Sequence, residues 1–97
     1  MAVIVTFEFS GAGQELYDTV IERVTDGRGF TQFADLPNTG LISHAAGPVD
    51  GGFRVTEVWE SVEALEHHAK TFGPILEDLG QADVQPTIIP AHNVVVR

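Results

Sequence analysis

The chain has 97 residues, with 14 acidic against 5 basic side chains, a net charge of −9 and no cysteine. Such a surface repels phosphate backbones and anionic lipid headgroups, and Arg23, Arg28, Arg54, Lys70 and Arg97 are scattered, so neither nucleic acid nor membrane is an expected partner. Without cysteine there is no disulfide framework, thiolate metal site or thiol nucleophile, and the longest apolar run, AVIV, is far short of a membrane span. One cytoplasmic domain over residues 1–97 is expected.

AVIVTFEF (2–9) is rich in β-branched and aromatic residues and predicts a strand. Val3, Val5, Phe7 and Phe9 share one face; Ile4, Thr6 and Glu8 share the other. SGAGQ opens a helix on which Leu16, Tyr17, Val20, Ile21 and Val24 recur at helical spacing, until DGRG (26–29) stops it. The GAG at 11–13 lacks the third glycine of a dinucleotide-binding loop and reads as a turn into this helix. A long connection, FTQFADLPNTG (30–40), holds Phe30 and Phe33, which with Tyr17 could line or lid a cavity, core packing being the stronger role for Tyr17. LISHAAGPV and GFRVTEVWE flank an Asp-Gly-Gly turn and predict a hairpin. Ser61 is the expected N-cap of the helix VEALEHHAKTF, with Glu63 favourable in its first turn. Gly73-Pro74 is expected to break that helix, PILEDLG to form a short second one, and VQPTIIPAHNVVV to close the chain as a strand.

The order β-α-β-β-α-β predicts an α+β, ferredoxin-like fold with a four-stranded antiparallel sheet, strands one and three central and two and four at the edges. Proline removes a ladder donor and is tolerated at edges, and Pro48, Pro86 and Pro90 all fall on strands two and four. Two helices cover one face of such a sheet. Strands one and four carry bulky apolar residues on both sides, so a second copy is expected to cover the other face as a homodimer.

Adjacent helical residues point about 100° apart, so His67 and His68 cannot share one environment. His68 lies on the stripe of Leu65 and Phe72 and faces the sheet; His67 falls beside Glu63 and Lys70 and faces solvent. His68 reads either as a general base in a cavity or as a core histidine bonded to a backbone carbonyl. Glu57 shares a strand face with Val55 and Trp59, where a carboxylate must be paired or protonated; it reads as an acid-base group or as the partner of an arginine. His44 on strand two joins His68 and Glu57 in the candidate catalytic set if strand pairing brings it to them. Trp59, Phe72, Phe33 and His92 are the candidate substrate contacts, with core packing the competing role for Trp59. No HxxxH or HxH spacing occurs, and no metal or cofactor is assigned.

GGFRVTEVWESVEALEHHAKTFGPIL resembles the third strand and following helix of the dimeric α+β barrel superfamily, in its antibiotic biosynthesis monooxygenase-like branch. Trp59, Glu60, Ser61, Glu63, Ala64 and His68 match that pattern, and GLISHAAGPVDGGF and PAHNVV are similar to small actinobacterial members. The resemblance spans essentially the whole chain. It implies a homodimeric barrel and a cofactor-independent monooxygenase acting on an aromatic or polyketide-like molecule by proton abstraction. An isomerase or cyclase of the same fold, or a non-catalytic module for an apolar ligand such as haem, are the alternatives it carries. Haem-degrading members have an asparagine on strand one where this chain has Val5, Thr6 and Phe7, so haem degradation is not implied.

Overall fold

The computed structural model describes residues 1–36 and 40–97. Its elements are strand β1 (Val3–Ser10), helix α1 (Gln14–Val24), a single 3-10 turn (Phe33–Asp35), β2 (Leu41–Val49), β3 (Gly52–Trp59), α2 (Val62–Asp78) and β4 (Thr87–Pro90). They form an α+β ferredoxin-like fold whose antiparallel sheet runs β2-β3-β1-β4, with the edges where proline placed them. The long connection runs from α1 to β2, and its residues 37–39 lie outside the described residues.

The core follows the two-residue period of β1. Val3, Val5, Phe7 and Phe9 are buried, together with Phe53, Val55 and Trp59 of β3 and Leu65 and Leu76 of α2. Leu16, Tyr17 and Val20 of α1 pack against this layer, so both helices cover the same side of the sheet. Among the described residues no helix is long and apolar enough to cross a membrane.

Three sequence expectations change. Helix α2 runs unbroken through Pro74. Proline crowds the N–H and the Cβ of the residue before it, and Gly73 has no Cβ. The carbonyl that loses its partner belongs to exposed Lys70, where water can replace it. Strand β4 is four residues long, far shorter than the predicted strand: Pro86, immediately before it, has no donor for the ladder, and past Pro90 a backbone bond runs from Ala91 N to the Ala2 carbonyl. The uncovered face of the sheet is mostly polar. Thr6, Glu8, Arg54, Thr56 and Thr87 gather there, and Arg54 donates to Glu8 at 2.7 Å. Its apolar part includes Ile4, Val58 and Ile89, aligned across three strands at one end, with Ala45 and Val49 of β2 on the same face.

The β2–β3 turn depends on glycine twice. Gly51 takes a φ of 75°, and a Cβ on Gly52 would lie 2.5 Å from the carbonyl oxygen of Phe9 on the neighbouring strand. Backbone cannot yield as a side-chain tip can. Gly52→Ala should therefore cost about 1–3 kcal/mol in urea unfolding. Gly47→Ala, at an open position of β2, should stay within about 0.5 kcal/mol of the parent.

Candidate active site

Between the helices and the sheet lies a cavity of about 70 Å³ with largely apolar walls, including Phe7, Val20, Val55 and Leu76. Four polar side chains reach it from four elements: Tyr17 of α1, His44 of β2, Glu57 of β3 and His68 of α2.

The pairing register sets His44 directly opposite Glu57 on the covered face. His44 Nδ1 lies 2.7 Å from Glu57 Oε2, and the two side chains are only 13% and 12% exposed. The other carboxylate oxygen, Oε1, accepts from Trp59 Nε1 at 3.0 Å. On the far side of the imidazole, His44 Nε2 meets the Tyr17 hydroxyl at 2.6 Å. Burial, reinforced by Glu57 and then Asp18, raises the Tyr17 pKa, so its hydroxyl keeps its proton. The directions of the bonds follow. Indole nitrogen only donates and a carboxylate only accepts, so in the neutral form His44 carries its proton on Nδ1 and donates it to Glu57. Tyr17 O–H then donates to Nε2. The result is one chain, Tyr17 to His44 to Glu57, with Trp59 holding the carboxylate from its other side.

His68 differs from the other three. Its half-buried ring lies between Trp59 and Phe72, with centroids 5.4 Å and 5.2 Å away, and makes no hydrogen bond among the described residues. Burial lowers its pKa and nearby His67 adds to this, while Glu57 opposes it. The cavity thus holds a neutral imidazole with free hydrogen-bonding capacity.

The structure brings His68, Glu57 and His44 to one cavity, and Phe72 lines it. His67 is exposed, as its helical position predicts. The carbonyl-bonded alternative for His68 is absent, and the partner of Glu57 is a histidine and a tryptophan, Arg54 being engaged by Glu8. Trp59 acts behind the wall, buried at 1% exposure, and reaches the site only through Glu57 and His68. Phe33 lies outside the cavity, 54% exposed, on a surface groove. His92 is exposed beyond the end of β4 and lines neither this cavity nor the surface groove beside Phe33. Tyr17, for which cavity lining competed with core packing, lines the cavity and also packs against the core. Its position on the inward face of α1 was evident, but its bond to His44 depends on how α1 crosses β2. Among the described residues no three His, Asp or Glu side chains group as a metal site.

No protein-family model matches the chain, and no curated protein does. Solved structures do. Rv0793 from Mycobacterium tuberculosis is 19% identical with a TM-score of 0.65, covering 99% of this chain and 100% of its own. A candidate antibiotic biosynthesis monooxygenase from Deinococcus radiodurans is 15% identical with a TM-score of 0.60, covering 100% and 98%. SnoaB, a cofactor-independent oxygenase from Streptomyces nogalater, is 13% identical with a TM-score of 0.57, covering 99% and 97%. The chain shares the fold of antibiotic biosynthesis monooxygenase-like proteins. Identities this low carry the fold and leave the chemistry to the residues of the cavity.

The state of His68 predicts a pH dependence of stability. Its folded pKa lies below the ordinary 6.5, so the unfolded chain takes up a proton that the native state refuses. Stability should fall as pH drops through about 6.5 and level off below the folded pKa. In urea unfolding between neutral pH and mild acid, His68→Gln should show a shallower slope than the parent; identical slopes would place His68 in contact with water.

Proposed function

We propose that the protein is a cytoplasmic, cofactor-independent monooxygenase of the antibiotic biosynthesis monooxygenase-like group, acting on an oxygenated aromatic or polyketide-like molecule by proton abstraction. The observation that carries this reading is the Tyr17–His44–Glu57 hydrogen-bond chain, which ends inside an apolar cavity. The shared fold supports it.

The substrate's acidic proton, on a carbon next to a carbonyl or aryl ring, passes to the Tyr17 oxygen as the Tyr17 proton passes to His44 Nε2. The imidazolium so formed is stabilised by the Glu57 carboxylate at 2.7 Å, and Trp59 keeps that carboxylate in place. Proton transfer thus leaves an enolate and a compensated cation in a water-poor site. His68, neutral through burial, can donate a hydrogen bond to the enolate oxygen, where negative charge gathers. The carbanion reduces dioxygen and combines with it to give a peroxide, which regains the proton from His44 by way of Tyr17. Loss of water then converts the original CH2 to C=O, one oxygen atom entering the product and the other leaving as water. Returning the proton to a different carbon of the same anion would make the reaction an isomerisation.

Anthrone, with a CH2 between two aryl rings and a carbonyl opposite, tests the chemistry in an oxygen electrode. Enzyme-dependent oxygen uptake with formation of anthraquinone is expected. His44→Ala should lower kcat about 10²–10⁴-fold, and His68→Ala about 10²–10³-fold. Rates equal to those of the folded His44→Ala protein would refute the reading.

We also propose a homodimer formed through the uncovered sheet face, its apolar contact being the Ile4, Val58 and Ile89 row. A mixed polar and apolar surface is ordinary for such interfaces. Light scattering should give about twice the chain mass of 10.5 kDa, and Val58→Glu should return the monomer. A monomeric parent protein at high concentration would refute it.

A further inference from the structure

We propose that Asp50 is a site of spontaneous covalent modification: its side chain condenses with the backbone nitrogen of Gly51 to a cyclic imide, which water opens to isoaspartate. The turn between β2 and β3 allows this at Asp50. The end of α1 prevents it at Asp26, the other aspartate of the chain that glycine follows.

In the first step the Gly51 nitrogen attacks Cγ of Asp50. A bond forms between them, and the hydrogen of the N–H leaves with a carboxyl hydroxyl as water. The product is a five-membered imide. Water then adds at the Asp50 main-chain carbonyl carbon and breaks its bond to Gly51 N. The chain now runs through Cγ, one methylene longer, and the former carbonyl carbon carries a free carboxylate. One water leaves and one enters. Nothing is oxidised or reduced, so no co-reactant is needed.

The step requires a side chain free to move, an uncrowded nitrogen and an N–H that can give up its proton. Asp50 is exposed at the tip of the hairpin, and its carboxylate has no ion pair or hydrogen bond among the described residues. Gly51 brings no Cβ to shield its nitrogen, and its N–H donates to no acceptor among the described residues.

Asp26 is exposed too, so exposure does not separate the two positions. The nitrogen does. Gly27 N donates to the Glu22 carbonyl at 2.8 Å and so closes the end of α1. The residues after it are held as well: Arg28 N donates to the Thr25 carbonyl and Gly29 N to Thr25 Oγ1. A nitrogen fixed in this way neither turns toward Cγ nor gives up its proton readily. Asp18, Asp35, Asp78 and Asp83 precede Thr19, Leu36, Leu79 and Val84, whose side chains crowd the attacking nitrogen.

The hairpin cannot absorb an extra methylene unchanged. Gly51 O accepts from Gly11 N at 2.7 Å, and the Gly52 backbone lies so near the Phe9 carbonyl that even a Cβ would collide with it. Isomerisation therefore draws Gly51 away from Gly11 and loosens the turn between β1 and α1.

Peptide mapping after prolonged warm incubation of the folded protein tests this, in mildly acidic buffer that supplies the proton leaving with the water. A protease that cuts before aspartate does not cut before isoaspartate. Cleavage before residue 50 should be lost progressively with no change in mass, while cleavage before residue 26 persists. The Gly11 amide NMR signal should shift as the modification advances. In urea, where the bond from Gly27 N to Glu22 is gone, cleavage at both positions should be lost alike. Asp50→Asn should reach isoaspartate sooner, because ammonia leaves in forming the same imide. Lasting cleavage before residue 50 in the folded protein, equal loss before residue 26, or protection of Asp26 that survives in urea would each overturn the proposal.

Discussion

A carboxylate in an apolar layer is the constraint around which the site is built. Glu57 points from a central strand into the same layer as Val55 and Trp59, where an unpaired charge would be prohibitively costly. Its two oxygens are satisfied by separate donors, His44 and Trp59, and both arise from the hairpin that presents the carboxylate. Removing either donor leaves a buried group short of a hydrogen-bond partner, which costs about 1–3 kcal/mol and more for a charged acceptor. The Nδ1–H tautomer of neutral His44 follows from that need. In the proposed mechanism the same carboxylate holds the imidazolium of His44, so its structural partner is also its chemical one.

Much of the fold was legible because its determinants are local. Alternation in VIVTFEFS, the Asp-Gly turn, Ser61 as a cap that accepts from Ala64 N, and prolines on the edge strands each act over a few residues. The misjudged points involve compensation at a distance or by a neighbour. Pro74 is accepted because Gly73 precedes it and because Ile75 and Leu76 beyond it are buried. The C-terminal stretch has the composition of a strand, but its described pairing is limited to Thr87–Pro90 and the bond from Ala91 N to the Ala2 carbonyl. The polar character of the open face was present in Thr6, Glu8, Arg54 and Thr56, but it emerges only when the two central strands are set in register.

The site was legible in its members and not in its connections. Periodicity alone separates His68 from His67, and the hairpin register alone sets His44 against Glu57. The contribution of Tyr17 depends on the crossing of a helix over an edge strand, which no local pattern specifies. Phe33 and His92 were candidates by residue type, and tertiary placement puts both outside the cavity, Phe33 on a surface groove and His92 past the end of β4.

The direction of the hydrogen bonds through His44 decides the proposed chemistry, and imidazole nitrogen chemical shifts report it directly. In the neutral ring the account predicts a protonated Nδ1 and an unprotonated Nε2 that accepts from Tyr17, with Tyr17→Phe changing the Nε2 signal and Glu57→Gln releasing the Nδ1 preference. An Nε2–H tautomer in the parent protein, or the averaged signals of a free imidazole, would contradict it.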